Sequence, residues 1–252
     1  METESAGPRG LFVTGTDTGV GKTFVAAGIA AAFREAGLRT GVMKPVETGC
    51  RVRGGKRVPQ DGRLLQKASG SEDPLEEIVP YRLLAAVAPR VAADREGVVI
   101  RLSAIERACR RIRSRSAMVL VEGAGGIFVP VTRAACMLDL IRLLGLPVLV
   151  VARAGLGTLN HTLLTLYCLG KEGIPVAGVV LNDVDGRRDL SKRTNPEMLR
   201  QASPVPILAR IPHIAGLGPR ASAVGAAAAK IGRRFSIPKL LAAMDKAAPP
   251  RF

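Results

Sequence analysis

The chain has 252 residues, 47% hydrophobic and 23% charged, a composition typical of a globular protein rather than a disordered one. The net charge of +16 would suit a nucleic-acid partner, but the basic residues are dispersed and only 3% of the residues are aromatic. We therefore predict anionic small-molecule substrates and no nucleic acid. The length favours one domain over residues 1–252, with residues 1–9 and 247–252 frayed.

The four cysteines, at positions 50, 109, 136 and 168, form no CxxC pair and show none of the spacings of a zinc site. We expect reduced thiols in a cytoplasmic protein. No apolar run reaches the roughly eighteen residues of a membrane span. The N-terminal sequence METESAGPRG lacks the basic and apolar regions of a signal peptide. The sequence therefore predicts a cytoplasmic location and no membrane partner.

The first predicted strand, residues 11–13, runs into GTDTGVGKT at residues 15–23, and a helix is predicted directly afterwards over residues 24–33. A glycine-rich turn that closes with Gly-Lys-Thr between strand and helix is typical of a phosphate-binding loop, although this loop has one residue more than the general pattern. Lys22 is expected to reach the β- and γ-phosphates, and the Thr23 hydroxyl to bind magnesium. An ordinary glycine-rich turn is the weaker alternative.

A second strand is predicted from Arg39 to Val46, and Pro45 places Lys44 at its carboxyl end. Ligands bind at this edge of open parallel sheets, where an ammonium group can balance the charge of a transferring phosphate. A basic, mobile loop is predicted over residues 50–59. Asp61 then opens a short helix, and its residue type alone indicates a helix cap or a first-turn carboxylate.

An apolar strand over residues 117–121 ends in EGAGG at residues 122–126. Nucleotide enzymes hold magnesium on an acidic residue at the end of a buried strand that faces the phosphate loop. The flanking glycines allow close approach of a ligand, which favours a metal role for Glu122 over that of a turn carboxylate.

Strands and helices are predicted to alternate through the rest of the chain. Helices are predicted over residues 91–94, 101–113, 137–144, 155–169, 221–233 and 239–244, and strands over residues 147–151, 176–181 and 207–211. The start of the helix at GLGTLNH could hold a carboxylate or be a plain capped start. The polar pair Asn182-Asp183 suits base recognition or a turn. The pattern predicts one doubly wound, mainly parallel α/β sheet flanked by helices.

Four segments, GTDTGVGKT, KPVETG, VEGAGG and the strand end at Asn182-Asp183, resemble in order and spacing those of the dethiobiotin synthetases. The resemblance covers residues 11–214, and the phosphate loop of that family has the same extra residue. It implies a single-domain P-loop fold and a cyclo-ligase of biotin biosynthesis. The implied substrates are ATP, carbon dioxide and 7,8-diaminopelargonic acid, and the products dethiobiotin, ADP and phosphate. The implied route passes through a carbamate and a carbamic-phosphoric anhydride.

The resemblance also implies roles for individual residues. Lys44 and Lys22 would be catalytic, and Thr23, Asp61 and Glu122 would hold Mg²⁺. The ATP site would comprise Gly19, Val20, Gly21, Lys22, Thr23, Phe24, Asp61, Glu122, Gly123, Ala124, Gly125, Asn182, Asp183, Pro212, His213 and Ile214. The substrate would contact Thr18, Thr48, Gly157, Thr158, Leu159 and Asn160, the last four from the partner subunit of a homodimer.

The chain departs from the family pattern in two places, because Gly19 stands where some members have glutamate and Arg90 where histidine is usual. Beyond Gly216 the correspondence is lost, so Pro219 and Arg220 receive no role. One rival is a cobyrinic-acid-type amidation ATPase, which is expected to continue into a glutaminase domain. The other is a partitioning-type ATPase, whose signature lysine would stand at position 17, where this chain has aspartate.

Overall fold

The computed structural model describes residues 9–215 and 221–252. The strands in these residues are β1 (Arg9–Gly15), β2 (Thr40–Met43), β3 (Val46–Glu47), β4 (Arg51–Arg53), β5 (Lys56–Val58), β6 (Tyr81–Arg82), β7 (Met118–Glu122), β8 (Val148–Arg153), β9 (Val176–Asn182) and β10 (Ile207–Ile211). The helices are α1 (Lys22–Glu35), α2 (Gln60–Ser69), α3 (Leu75–Ile78), α4 (Pro89–Arg95), α5 (Leu102–Ser114), α6 (Met137–Leu144), α7 (Thr158–Lys171), α8 (Ser191–Ala202), α9 (Ala221–Gly232) and α10 (Ile237–Asp245).

Within the described residues, six strands form one parallel sheet in the order β10-β9-β8-β1-β7-β2. These strands are short apolar runs because a parallel sheet is covered on both faces. The chain leaves β1 for β2 on one side, returns to β7, and then crosses to β8 on the other side of β1. The carboxyl end of β1 therefore lies at the topological switch, where doubly wound sheets bind ligands. The predicted fold class is confirmed.

Two hydrophobic cores lie on the two faces of the sheet. Leu11 and Val13 pack with residues of α1, α2, α9 and α10. Phe12, which points to the opposite face, packs with residues of α4, α5, α6, α7 and α8. Successive side chains of β1 point to opposite faces of the sheet, so both cores hold the strand in place. The loop that follows β1 therefore starts from a fixed position.

The segment after β2 differs from the prediction in two ways. Pro45 ends β2 at Met43, and the chain resumes as β3, which pairs with β6 outside the main sheet. The predicted mobile loop over residues 50–59 is a β4–β5 hairpin instead. Its turn is formed by Gly54 and Gly55, with φ of 55° and 71°. Two-residue hairpin turns of this kind need positive φ at both positions, which glycine adopts without strain.

Helix α8 lies in a stretch for which no element was predicted, because its sequence shows basic residues rather than an apolar periodicity. Pro196 stands inside this helix and cannot donate to the carbonyl of Lys192. Arg210 Nη2 donates to that carbonyl at 3.2 Å. A side chain from β10 thus replaces the bond that the proline removes.

The C-terminal residues, predicted to fray, lie against the body of the domain. Val176 N donates to Ala248 O at 3.1 Å, and the rings of Tyr167 and Phe252 lie 6.0 Å apart between centroids. Residues 1–8 lie outside the described residues, and so do Pro219 and Arg220. None of the helices in the described ranges is long and apolar enough to cross a bilayer.

Candidate active site

The phosphate loop connects the end of β1 to α1, which begins at Lys22. Gly19 and Gly21 have φ of 76° and 91°, so both positions favour glycine. No side chain caps α1, and the first N–H groups of the helix are therefore available to an anion. A Cβ on Gly21 would lie 2.2 Å from Nδ2 of Asn182, whose amide donates to Val20 O at 2.9 Å. The end of β9 thus braces the phosphate loop.

Lys22 is 7% exposed, and its Nζ donates to the carbonyl of Asp17 at 2.9 Å. Burial lowers the pKa of Lys22 to about 8, although the negative charge of Glu122 opposes that shift. The side chain of Asp17 is turned the other way, where its Oδ2 pairs with Arg153 Nη2 at 2.9 Å. A phosphate group at the loop would favour the charged form of Lys22, because an adjacent anion stabilises an ammonium group.

Four side chains beneath the phosphate loop form what we call the buried charge cluster: Thr23, Lys44, Asp61 and Glu122. Lys44 and Glu122 are buried, whereas the Asp61 side chain is 38% exposed. Lys44 Nζ lies 2.5 Å from Glu122 Oε1 and 3.0 Å from Asp61 Oδ2. Thr23 Oγ1 donates to Glu122 Oε1 at 2.7 Å. Burial works against the charge of Lys44, but Glu122 and Asp61 outweigh it and raise the pKa of Lys44 above its usual range.

The two carboxylates of the cluster respond differently to their surroundings. Glu122 is 0% exposed, and this burial raises its pKa, with Lys44 opposing. Burial also acts to raise the pKa of Asp61, but the contacts with Lys44 outweigh it and the pKa falls below its usual value. The raised pKa of Lys44 therefore favours its ammonium form, whereas the raised pKa of Glu122 favours the protonated form of that carboxyl group.

Strand register brings Lys44 and Glu122 together. Met43 of β2 pairs with Val121 of β7, so the next residue of each strand emerges at the same edge of the sheet. Glu122 is also level with Val13 of β1, close to the start of the phosphate loop. Lys44 is thus the first residue after β2, at the carboxyl edge of the sheet where it was predicted, although the predicted strand continued to Val46.

Asp61 reaches the cluster through a contact made by Glu47 in β3. Glu47 Oε1 accepts from Asp61 N and Oε2 accepts from Gly62 N, both at 3.0 Å. Gly62 fits against Val79, because an added Cβ would lie 2.1 Å from Val79 Cγ2. Glu47 therefore caps α2, and the side chain of Asp61 is left to pair with Lys44. Burial, followed by the charge of Asp61, raises the pKa of Glu47 to about 7.

The donor set of the cluster fits a magnesium ion that shares its ligands with a nucleotide. Glu122 Oε2 is buried and has no hydrogen-bond partner among the described residues. Mg²⁺ prefers oxygen ligands and is usually bound by one or two carboxylates together with substrate phosphates. No group of three or more His, Cys, Asp or Glu side chains in the described ranges could hold a metal unaided. Two carboxylates and the Thr23 hydroxyl match the shared arrangement.

One cavity of about 790 Å³ contains the phosphate loop and the buried charge cluster. Twelve of the residues predicted for the site line it: Thr18, Gly19, Gly21, Lys22, Thr23, Phe24, Lys44, Thr48, Asp61, Glu122, Ala124 and Gly125. The volume lies in the range of ligand pockets, roughly 300–1,000 Å³. A nucleotide phosphate tail and a small second substrate can therefore meet in one place.

The family model described as an AAA domain matches residues 9–221. The ATP-dependent dethiobiotin synthetase BioD of Anaeromyxobacter dehalogenans strain 2CP-C is 47% identical over 224 residues, 88% of this chain and 99% of that protein. The protein of the same name from Thermodesulfovibrio yellowstonii is 39% identical over 216 residues, 82% of this chain and 90% of its own length. The chain belongs to the dethiobiotin synthetase family. The predicted resemblance is confirmed.

Among solved structures, the signal recognition particle receptor FtsY from Elizabethkingia anophelis has a TM-score of 0.50 and 14% identity, covering 96% of this chain and 67% of that one. At this identity the likeness concerns the fold alone, and it agrees with a P-loop domain. The dethiobiotin synthetase relatives, by contrast, match along most of their own length.

The other residues assigned through the dethiobiotin synthetase resemblance lie outside the 790 Å³ cavity. Val20 and Gly123 are buried behind it, and a Cβ on Gly123 would lie 2.9 Å from Phe12. Pro212, His213 and Ile214 line a separate cavity of about 580 Å³ at the end of β10. Asp183 Oδ1 pairs with Lys192 Nζ at 2.8 Å and accepts from Gly186 N at 2.9 Å, as a turn carboxylate does.

The predicted substrate-tail residues Gly157 to Asn160 form the start of α7, and none of them lines the cavity that holds Lys44. Gly157 has φ of 88° at the N-cap, and Thr158 Oγ1 is 3.2 Å from Thr162 Oγ1 inside the helix. A single chain therefore keeps these residues away from the buried charge cluster, and their role stays a prediction about a partner subunit.

Sequence reasoning missed Glu47 and four basic residues that line the cavity, Arg51, Arg53, Arg63 and Lys67. Glu47 lies within KPVETG, but its contact with Asp61 depends on packing between β3 and α2 that no local pattern shows. The hairpin residues Arg51 and Arg53 line the cavity as well. A signal for the hairpin was present in the sequence, because Gly54-Gly55 stands between two short alternating segments.

Proposed function

We propose that this chain is a dethiobiotin synthetase that joins carbon dioxide to 7,8-diaminopelargonic acid and closes the ring at the expense of ATP. The observation that carries the proposal is the buried Lys44 ammonium, held by Glu122 and Asp61 in the same cavity as the phosphate loop. The names of the relatives agree with this reaction.

The reaction needs positioning and charge stabilisation more than acids and bases. One amine of the diamine attacks carbon dioxide and loses a proton, which forms a carbamate. A carbamate oxygen attacks the γ-phosphorus and ADP leaves, which gives a carbamic-phosphoric anhydride. The second amine attacks the carbamoyl carbon, phosphate leaves, and the cyclic urea of dethiobiotin results. Each step places negative charge on oxygens that fixed cations can stabilise.

Lys44 acts in this scheme as a fixed positive charge. Burial works against its charge, but Glu122 and Asp61 raise its pKa above the usual range, which favours the ammonium form. The ammonium group stabilises the carbamate oxygen and the transferring phosphoryl group through charge and hydrogen bonds. Lys22, at the start of α1, binds the phosphates with the N–H groups of the loop.

Thr23, Asp61 and Glu122 would hold Mg²⁺ together with the phosphates. When bound, the ion would neutralise part of the negative charge of the phosphates. Asn182 would contact adenine, with Pro212, His213 and Ile214 on the same side of the nucleotide. Thr18 and Thr48, which line the cavity, would orient the diamine.

A homodimer would complete the substrate site with Gly157 to Asn160 of the partner chain. The exposed apolar residues around this segment support the proposal: Leu156 is 83% exposed, Leu164 54% and Tyr167 46%. Leu156 precedes α7, and Leu164 and Tyr167 lie on it. Exposed apolar side chains of this kind are what a subunit interface would cover. We expect sedimentation to give twice the monomer mass, and Leu164→Asp to shift it to the monomer. A monomeric native protein would contradict the dimer.

The cell compartment follows from the proposed chemistry, since ATP and the carbon dioxide acceptor are cytoplasmic metabolites. Fractionation of cells that express the chain should recover it with cytoplasmic enzymes. Recovery with the membrane fraction would contradict this location.

The function is tested with purified protein, ATP, Mg²⁺, bicarbonate and diaminopelargonate. We expect phosphate release to require the diamine, and mass spectrometry to detect dethiobiotin in proportion to ADP. Omission of bicarbonate is the control for uncoupled hydrolysis. Turnover of ATP that responded to DNA and ignored the diamine would instead support a partitioning-type ATPase.

A further inference from the structure

The cavity carries more positive charge than the proposed reaction has assigned. Beyond Lys22 and Lys44, four basic residues line it: Arg51 and Arg53 from the β4–β5 hairpin, and Arg63 and Lys67 from α2. We call these four residues the cationic wall. The cavity lining therefore contains six cations and two carboxylates, Asp61 and Glu122. Both carboxylates are already paired with Lys44.

The hairpin presents its two arginines to the cavity because side chains alternate along a strand. Arg51 is level with Val58, and both line the cavity, as does Arg53. Val52 and Arg57 are a cross-strand pair on the opposite face. Arg57 Nη1 pairs with Glu96 Oε2 at 2.6 Å and donates to the carbonyl of Arg82 at 2.7 Å. These contacts anchor the hairpin, so the wall is a built surface.

Helix α2 supplies the other half of the wall through its helical spacing. Arg63 and Lys67 are four residues apart and share one face, which faces the cavity. Leu65 and Ala68 lie on the other side of α2, buried in the core that includes α1. The orientation of this helix is therefore fixed by packing, and its basic face is held toward the site.

None of the ion pairs among the described residues includes Arg51, Arg53, Arg63 or Lys67. Other arginines of the described residues do form ion pairs with a carboxylate, as Arg57 does with Glu96. Four cations without a protein partner in one concave site repel one another unless an anion joins them. The site thus has the charge of a pocket for a polyanion.

We propose that the cationic wall binds the terminal phosphoryl group of a nucleoside triphosphate and so distinguishes a triphosphate from a diphosphate. The phosphate loop binds the phosphate chain from the side of α1, where Lys22 reaches the β- and γ-phosphates, and the wall would contact the terminal group from the side of the hairpin and α2. The wall belongs to the segments that carry Lys44 and Asp61, since β4 follows β3 and Arg63 stands two residues after Asp61. It therefore lies at the end of the phosphate chain where phosphoryl transfer occurs. The inference rests on the nucleotide site of the proposed function, but not on the carboxylation chemistry.

The experiment measures binding without the diamine, by calorimetry with ADP and with a non-hydrolysable ATP analogue, each with Mg²⁺. We expect the double variant Arg51→Gln/Arg53→Gln to bind the analogue roughly five- to tenfold more weakly. Its affinity for ADP should fall by less than about twofold. Changes of this size are what the loss of two exposed charges allows. The difference should shrink at high salt, because exposed charges are screened. Arg63→Gln/Lys67→Gln should act in the same direction.

The matched control is Arg95→Gln/Arg107→Gln, which removes the same charge from two exposed arginines that do not line the cavity. The proposal would be overturned if the control variant lost as much affinity for the analogue as the wall variants. It would also be overturned if a wall variant lost as much affinity for ADP as for the analogue. A higher KM for diaminopelargonate with unchanged analogue binding would also overturn it, since the wall would then serve the substrate carboxylate. Because binding is measured directly, a protein that makes no dethiobiotin could still pass this test.

Discussion

Strand β7 connects two charged clusters that differ in almost every physical respect. At its carboxyl end, Glu122 belongs to the buried charge cluster with Lys44, Asp61 and Thr23. Before its amino end, Arg115 joins Asp73 at 2.8 Å and also pairs with Glu77, which Arg111 contacts at 2.7 Å. The side chain of Arg115 is 39% exposed, whereas that of Glu122 is fully buried.

The contrast shows how a site can be told from a structural ion pair. In the cluster around Arg115 the cation is solvent-exposed, although Asp73 and Glu77 are only 8% and 16% exposed, and ion pairs with an exposed member contribute only about 0–1 kcal/mol each. The buried charge cluster bears a desolvation cost and leaves Glu122 Oε2 without a partner in the described residues. A fold seldom keeps an unsatisfied buried carboxylate oxygen for stability, because an apolar replacement is cheaper. The feature makes sense when a bound ion completes it.

The largest effect is expected for Lys44→Ala. Loss of the fixed ammonium should lower turnover by about 10²-fold or more, since groups that stabilise transition-state charge contribute on that scale. Binding of the ATP analogue should change far less, because the phosphate loop remains. Steady-state kinetics and calorimetry measure the two quantities. Lys246→Ala, at an exposed position, is the control, and equal turnover in both variants would remove Lys44 from the catalytic residues.

A double-mutant cycle on the same pair tests the energetic side of the comparison. Lys44→Met should cost about 3 kcal/mol or more in unfolding free energy, because it leaves the buried Glu122 without its cation. Glu122→Gln should cost less, because Lys44 keeps its ion pair with Asp61. The double variant should be less destabilised than the sum of the two losses. Urea denaturation measures the cycle. Additive losses would mean that Lys44 and Glu122 are not coupled.

Glu47→Gln should have an intermediate effect. The glutamine amide has one oxygen, which can accept from only one of the two N–H groups of Asp61 and Gly62. Its NH₂ group must then face the second N–H group, and the lost hydrogen bond costs roughly 1–3 kcal/mol of unfolding free energy. Because Asp61 would lose its fixed position, turnover should require more Mg²⁺. Glu72→Gln, at an exposed position, is the matched control. An unchanged Mg²⁺ requirement with lowered stability would leave Glu47 a purely structural residue.

The smallest effect is expected for Arg115→Gln, at less than about 1 kcal/mol and with normal turnover. Burial acts to raise the pKa of Glu77, but Arg115 and Arg111 outweigh it and lower that pKa. A carboxylate with a depressed pKa adds stability above its unfolded value of about 4.3 and loses it as the pH falls through the folded value. The difference between variant and parent should therefore vanish in acid. A difference that grew below about pH 4 would contradict this account.

The sequence predicted the parts of the site that depend on the ends of regular elements. The phosphate loop, Lys44 and Glu122 each follow a buried strand, and parallel strands bring their carboxyl ends to one edge. Asp61 could be given a metal role only through the family resemblance, because its position depends on Glu47 and on the packing of Gly62 against Val79.

Helix α8 and the β4–β5 hairpin were also not predicted, because they depend on contacts that the local sequence does not show. The sequence of helix α8 shows basic residues rather than an apolar periodicity, and Arg210 of β10 supplies the hydrogen bond that Pro196 removes. The hairpin could have been recognised by its two glycines, but its basic residues suggested a solvated loop. Only the placement of α2 beside it shows that these charges converge.

The turn of the β4–β5 hairpin is also a suitable position at which to insert a label into the enzyme. A Cβ built on Gly54 or Gly55 would meet no atom within 4 Å, so chain added between them would project into solvent. The Arg57–Glu96 pair would keep the stem of the hairpin anchored while its tip carried a short inserted tag. A fluorophore on such a tag would stand beside the cationic wall and could report nucleotide arrival as a change in emission, turning the molecule into a sensor of its own substrate.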